Sequence, residues 1–294
     1  MLIIYQIIGN GFAVGCAYAL IALGFTLIYK SVRFFNFAHG AVYTAGAYFA
    51  YSLSNSFGIN PIISFLGAAF LSVILGMAID RLVYLPLRKN NAPLLVFLIA
   101  SFGVFIFIQN LLQLMCGAQI LTLRTGPVRE GYHILSAIIT PIQFMIIAAA
   151  FTTFALLWCL TTRTKTGKAI IAVADDLYGA SICGINPERV ILFAFGIGSA
   201  LAGMAGVLIS LETNIEPTMG MNAILKGIVA SIIGGVGSIP GALIGGLLLG
   251  IVENLGIWKI QAGWKDTIAF VVLILFLLLR PQGILGSRPR GDRL

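Results

Sequence analysis

The stretch "IIYQIIGNGFAVGCAYALIALGFTLIY", residues 3–29, contains no Asp, Glu, Lys or Arg. About 20 predominantly apolar residues are enough for a helix to cross a bilayer, so this segment reads as a transmembrane helix. It has no basic amino-terminal region and is too long for the apolar core of a signal peptide, so it is not expected to be cleaved. The rest of the chain has the same character: 59% of residues are hydrophobic, 10% are charged and the mean hydropathy is +1.02. A soluble domain has about a quarter of its residues charged. The 294 residues therefore read as one polytopic domain, all-α, with no soluble domain left over.

Working outward, further spans are expected at Phe34 to Leu53, Ile62 to Ile79, Leu94 to Leu114, Thr140 to Leu160 and Val190 to Leu211. A glycine-broken pair follows, Ile224 to Gly234 and Gly241 to Asn254, and then a last span from Thr267 to Leu279. That makes about nine spans, or about eight to ten if the broken pair forms one re-entrant element.

The net charge of +8 would fit nucleic acid if the basic residues clustered, but they alternate with the spans. Lys30 and Arg33; Arg81, Arg88 and Lys89; Arg163, Lys165, Lys168 and Arg189; and Arg280, Arg288, Arg290 and Arg293 fall at every second crossing. The positive-inside rule makes those thirteen of the 18 basic residues cytoplasmic. The amino terminus is then outside, the carboxyl terminus inside, and no nucleic-acid partner is expected. Arg124, Arg129, Lys226, Lys259 and Lys265 are placed on or near the outer side. Cys16, Cys116, Cys159 and Cys183 have no metal-ligand spacing and suggest no disulfide framework.

Small residues recur at helical spacing. Gly198, Ala202 and Gly206 form one ridge, and Ser199 with Gly203 a second. Ala242, Gly246, Gly250 and Asn254 form a third, and Gly241 with Gly245 a fourth. Such ridges let helix backbones approach closely in a membrane, so a compact bundle is expected. The Gly-rich "IIGGVGSIPGALIGG" (residues 232–246) has no G-x-x-x-x-G-K-[ST] pattern. It reads as a tight turn with Pro240 opening the next helix, and no nucleotide or other cofactor is expected to bind the chain itself.

Polar groups inside apolar spans mark candidate sites. Asn36 and His39 are three apart and, if helical, share a face. They either fix helix packing or face a translocation path, where a neutral imidazole and a carboxamide would each offer a donor and an acceptor. Glu253 and Asn254, near the outer end of their helix, are the second candidates, with a carboxylate simply reaching water as the alternative. The longest internal polar interval, residues 161–190, has Ile170, Val173, Ala174 and Leu177 at i, i+3, i+4 and i+7. This is the stripe of a short amphipathic helix that needs a surface on which to dock. No Ser/His, H-E-x-x-H or paired-Asp constellation lies within the spans, so the chain is not read as an enzyme.

These residues also resemble a known family. "GCAYALIALGFTLIY" (15–29) followed by "NFAHGAVYTAGAY" (36–48) is similar to the opening of the permease subunits of branched-chain amino acid ABC importers. In order after it come "TKTGKAIIAVADDLYGASICGI" (164–185), "FAFGIGSALAGMAGVL" (193–208), "EPTMGMNAILKGIVASIIGGVGSIPGALIGGLLLGIVENLG" (216–256) and "LLLRPQGILG" (277–286). The chain departs from the pattern at "KSVRFF" (30–35), where glycine and aliphatic residues are common, and at Ile171, where a basic residue is common. Phe37 leans toward amino acids, because related urea permeases tend to carry N-M-A-H-G.

The resemblance implies a permease subunit working with a homologous second permease, two ATP-binding subunits that hold the ATP, and a periplasmic or extracellular substrate-binding protein, in the lipid of a bacterial cytoplasmic membrane. It makes 164–185 the loop that couples to the ATPases, with Gly167, Lys168, Ala169, Asp175, Asp176, Ala180, Gly184 and Ile185 as its matching positions. Asp175 and Asp176 would sit at a short helix's N-terminus, against basic residues of an ATPase, or in a solvated turn. Alternatives are a related permease for urea, short amides or other neutral amino acids, and a proton-coupled transporter in which His39 and Glu253 titrate.

Overall fold

The computed structural model describes residues 2–124, 131–134, 137–258 and 261–286. Arg129, Lys259, Arg288, Arg290 and Arg293, all used in the charge pattern, lie outside the described residues.

Helix α1 (Leu2–Val32) is followed by α2 (Ala38–Tyr51), which runs into a π-helical turn, Ser52–Ser56. Asn60 caps α3 (Pro61–Ile79) by accepting from the Ile62 amide at 3.0 Å, with Pro61 in the first turn. A second π-helical turn, Asp80–Tyr84, carries α3 on into α4 (Leu85–Lys89), and α5 spans Leu94–Cys116. Strands β1 (Tyr132–Ile134) and β2 (Ala137–Ile139) pair antiparallel, and Gln6 of α1 holds the free edge through both Ile138 backbone groups, at 3.0 and 2.7 Å. Next come α6 (Pro141–Arg163), the short α7 (Lys165–Asp175) and α8 (Leu177–Ile182), then α9 (Pro187–Glu212), α10 (Met219–Gly234), α11 (Ile239–Gly256) and α12 (Lys265–Leu279).

The molecule is an all-α bundle with one small hairpin. Among the described residues, six helical stretches are long and apolar enough to cross a membrane: α1, α3 through α4, α5, α6, α9 and α11. The remaining expected spans are the shorter α10, α2 with its π turn, and α12. The glycine-broken pair is two packed helices. Gly235 (φ 108°) and Gly237 (φ 86°) take backbone conformations that a side chain would resist. Ser238 caps α11 by accepting from the Gly241 amide at 3.2 Å.

The four small-residue ridges serve five helix contacts, α9 with α1, α2 and α3 and α11 with α1 and α10. A Cβ at Gly198 would meet Ile28 of α1, and one at Gly206 would meet the Tyr43 carbonyl of α2. Gly203 faces Ser72 of α3, and Ser199 fills the space over Gly76 of α3. On α11, Gly246 and Gly250 face Ala19 and Gly15 of α1, while Gly241 and Gly245 face α10. Helix α1 is therefore the buried hub, gripped by α9, α10 and α11 through positions where only hydrogen fits. Most of the surface of α3, α5 and α6 is left uncovered by the chain.

Candidate functional site

Two groups of buried polar residues in the bundle hold the candidates from the sequence, and the short helices α7 and α8 make a third region at one end.

The first group contains Asn36 and His39, and it corrects the expectation that they share a helix face. Helix α2 begins at Ala38, so Asn36 lies in the preceding turn. Arg33 (φ 54°) ends α1, with its amide bonding back to the Tyr29 carbonyl at 2.8 Å. The residues after it lie outside both helices, held there by aromatic packing. Phe34 lies 5.0 Å from Tyr84 and 5.2 Å from Phe97, and Phe35 lies 5.3 Å from Tyr29. Asn36 Oδ1 accepts from the Tyr84 hydroxyl at 2.7 Å, so its side chain is tied to the π turn after α3. The His39 ring turns instead toward α1, where a Cβ on Gly24 would come within 2.9 Å of its Cε1. His39 is 1% exposed, and neither ring nitrogen has a hydrogen-bond partner among the described residues; the nearby Ile21 carbonyl falls outside hydrogen-bond geometry.

The second group is built around Glu253. Its carboxylate is fully buried and does not reach water as a helix-end group would. Oε1 pairs with Lys226 Nζ at 2.5 Å, and Oε2 accepts from the Tyr18 hydroxyl at 2.8 Å. Lys226 also pairs with Asp266 Oδ1 at 2.9 Å and lies 5.9 Å from the Tyr18 ring centroid. Lys226, placed by sequence near the outer side, is a buried residue in the middle of α10. The network joins α1, α10, α11 and α12. Asn254 is not part of it: its Nδ2 donates to the Gly250 carbonyl at 2.9 Å, and its Cβ packs near Gly11. Sequence reading missed Lys226, Tyr18 and Asp266. The available signal was a lone cation inside the apolar run "NAILKGIVASII" (222–233), which a bilayer tolerates only with a partner.

The third region is the 164–185 segment, which forms two helices where one was expected. Thr164 caps α7 by accepting from the Gly167 amide at 3.0 Å, and Gly167 packs so closely on the Leu160 carbonyl that a Cβ would clash. Ile170 and Val173 are buried as the stripe predicts, but α7 stops at Asp175 and Leu177 falls on the next helix, exposed. Asp176 is the N-cap of α8, its Oδ1 accepting from the Tyr178 amide at 2.9 Å. Asp175 is the last residue of α7 and is exposed, as is Lys168, while Ala169 is half-buried. Ala180 is buried, and its carbonyl accepts from the Ile185 amide at 3.0 Å beyond Gly184 (φ 81°). Arg33 donates to the Ala174 carbonyl, tying α7 to the end of α1. A cavity of about 760 Å³ opens beside α8, lined by Arg33, Arg88, Asp175, Tyr178 and Glu188 among others. Arg88 is held there by a bidentate pair with buried Asp80, at 2.7 and 3.1 Å.

Helix α8 thus carries Leu177, Tyr178 and Ile182 on the surface, Ile182 at 87% exposure. These apolar side chains stand beside a cap and a cavity lined by charges of both signs, at the end of the bundle where α1 finishes. The family described as "Branched-chain amino acid transport system / permease component" matches residues 7–277. The chain belongs to that family. The BraD permease protein of the high-affinity branched-chain amino acid transport system of Pseudomonas aeruginosa is 39% identical, over 97% of this chain and 96% of its own. The LivH permease protein of Escherichia coli is 38% identical over the same shares. A probable LivH of Methanocaldococcus jannaschii is 30% identical over 91% of this chain and 88% of its own. This permease family is one of membrane transport subunits, and the apolar helices of the chain make it a multi-pass membrane protein.

Proposed function

We propose that the chain is the membrane-spanning permease subunit of an ATP-driven importer of branched-chain amino acids, and that it acts without catalysing a reaction or holding a cofactor of its own. The observation that carries this reading is the family match along nearly the whole chain, joined to the uncovered apolar face of α8. A soluble binding protein delivers the amino acid on the outer face. Two ATPase subunits dock on α7 and α8, and a second permease completes the path. The end bearing α7 and α8 is cytoplasmic, because Lys30, Arg33, Arg88, Lys89, Arg163 and Lys165 gather there. In this reading the amino terminus is outside and the carboxyl terminus inside.

Rigid attachment of α7 suits this role. Gly167 against Leu160 and Arg33 on Ala174 leave α7 little freedom relative to α6 and α1, so force from a docked ATPase passes to the spans as a rigid-body shift. Asn36 and His39, and Glu253 with Asn254, remain our candidates for the translocation path, with Gly167 to Ile185 as the coupling segment.

The test is reconstitution of the permease with its second permease, ATPases and binding protein in liposomes, following labelled leucine. Uptake that needs both ATP and the binding protein is expected. Uptake by this chain alone, driven by a pH gradient, would overturn the reading in favour of a secondary transporter.

A further inference from the structure

Helix α5 is largely bare, and its bare side differs from those of α3 and α12. The exposed sides of α3 (Ile62, Leu66, Phe70, Ile74) and of α12 (Phe270, Ile274, Leu275, Leu278) are apolar along the span, as lipid requires. On α5 the exposed residues Ile99, Gly103, Ile106, Asn110 and Gln113 follow one another at i, i+4, i+7, i+11 and i+14. That spacing keeps all five within one narrow stripe, the spacing of a helix–helix seam. Gly103 is an open notch, with nothing within 4 Å of where a Cβ would stand. This sets it apart from the glycines of the bundle interior, which are filled by neighbouring helices.

The two carboxamides decide the matter. Asn110 Nδ2 donates to the Ile106 carbonyl at 2.8 Å, which leaves its Oδ1 and one N–H without a partner among the described residues, and the Gln113 side chain makes no hydrogen bond among them. Hydrocarbon offers amides nothing, so polar side chains on a spanning helix face protein or water. A carboxamide both donates and accepts, so it complements another carboxamide. A two-fold axis along the membrane normal brings the same position of two like chains to the same depth. We infer that the Ile99–Gln113 stripe of α5 is the seam on which a second permease chain of the same fold packs, with Asn110 and Gln113 bonding across it. A single polar position of this kind fixes register and partner number in helix pairs. This inference rests on the permease-pair reading above.

The experiment places a photoreactive amino acid at Asn110, at Phe70 or at Ile274, one at a time, in membranes of cells making the whole transporter. Capture of a permease chain from Asn110, recognised by peptide mass as this chain or its homologue, is the expected result, with lipid adducts alone from Phe70 and Ile274. Permease capture from Phe70 or Ile274 and none from Asn110 would overturn the seam and leave the pairing intact. Permease capture from none of the three would overturn the pairing itself. As an independent measure, N110L/Q113L is compatible with lipid and should fold. It is expected to weaken permease pairing in detergent by about threefold to tenfold, the scale of interhelical hydrogen bonds in membranes. Pairing that is unchanged or tighter would return α5 to a lipid-facing role.

Discussion

Glu253 of α11 and Lys226 of α10 form an ion pair at 2.5 Å with the carboxylate fully buried. The two are not equivalent within their network. Lys226 has a second carboxylate, Asp266, while among the described residues Glu253 has only the Tyr18 hydroxyl besides Lys226. Removing one partner of a buried pair costs about 3–5 kcal/mol, because it strands the other charge. Lys226→Met should therefore destabilise by about that much. Glu253→Gln should cost less, since Lys226 keeps Asp266. The double variant should recover part of the Lys226→Met loss. Thermal unfolding of the four proteins in detergent gives the cycle. Equal losses for the two single variants would show that Asp266 contributes nothing to holding Lys226.

Close backbone approach at the hub is tested by glycine substitution. A Cβ on Gly246 would lie 2.6 Å from the Ala19 amide nitrogen, which is backbone and cannot swing aside. Gly246→Ala should force α1 and α11 apart and cost about 1–3 kcal/mol, the range for overpacked cores. At Gly103 a methyl meets open space, so Gly103→Ala should hold or raise the unfolding temperature of the isolated subunit, as Ala favours a helix interior over Gly. If both variants melt like the wild type, the α1–α11 contact is looser than the structure has it.

Much of this bundle could be read from the sequence because the relevant physics is local in the chain. Apolar length gave the spans, Pro240 and its flanking glycines gave the α10–α11 turn, and four-residue spacing gave ridges that do pack helices. The expectations that failed depended on contacts between distant residues. Asn36 was placed on a helix because the apolar run begins at Phe34, although Asn is itself a residue that favours helix starts. What holds Asn36 outside α2 is the packing of Phe34 on Tyr84 and Phe97, and the bond from Tyr84 to Asn36, 48 positions away. The partner of Glu253 was hidden for the same reason, since α10 and α11 bring Lys226 to it only after folding. The break between α7 and α8 was partly visible: Asp176 is a strong N-cap residue, and it interrupts the stripe where the second helix begins.

Docking on α8 can be separated from folding. Ile182 is exposed and packs on nothing that the bundle needs, so Ile182→Asp should leave the unfolding temperature unchanged while abolishing co-purification of the ATPase subunits. Asp176→Ala should act differently. Loss of the cap costs about 1 kcal/mol and frays a six-residue helix, so ATPase binding should weaken without being lost, and ATP hydrolysis should lose part of its dependence on the binding protein. Normal ATPase recovery with Ile182→Asp would move the docking surface away from α8.

His39 offers the sharpest separation of packing from transport. Its two ring nitrogens are buried without partners among the described residues, and replacing an unsatisfied buried polar group with an apolar one of similar shape is neutral or stabilising. Leucine is close to histidine in size and carries no polar atoms, so His39→Leu should melt near or above the wild-type temperature. If His39 served packing alone, uptake would survive with it. Our expectation is the opposite: assembly intact and leucine uptake largely lost, because a polar group left unpaired in this closed contact gains its partners when the helices part and water or substrate reaches the gap beside Gly24. Full uptake by His39→Leu would remove the residue from the path and leave it as a filler between α1 and α2.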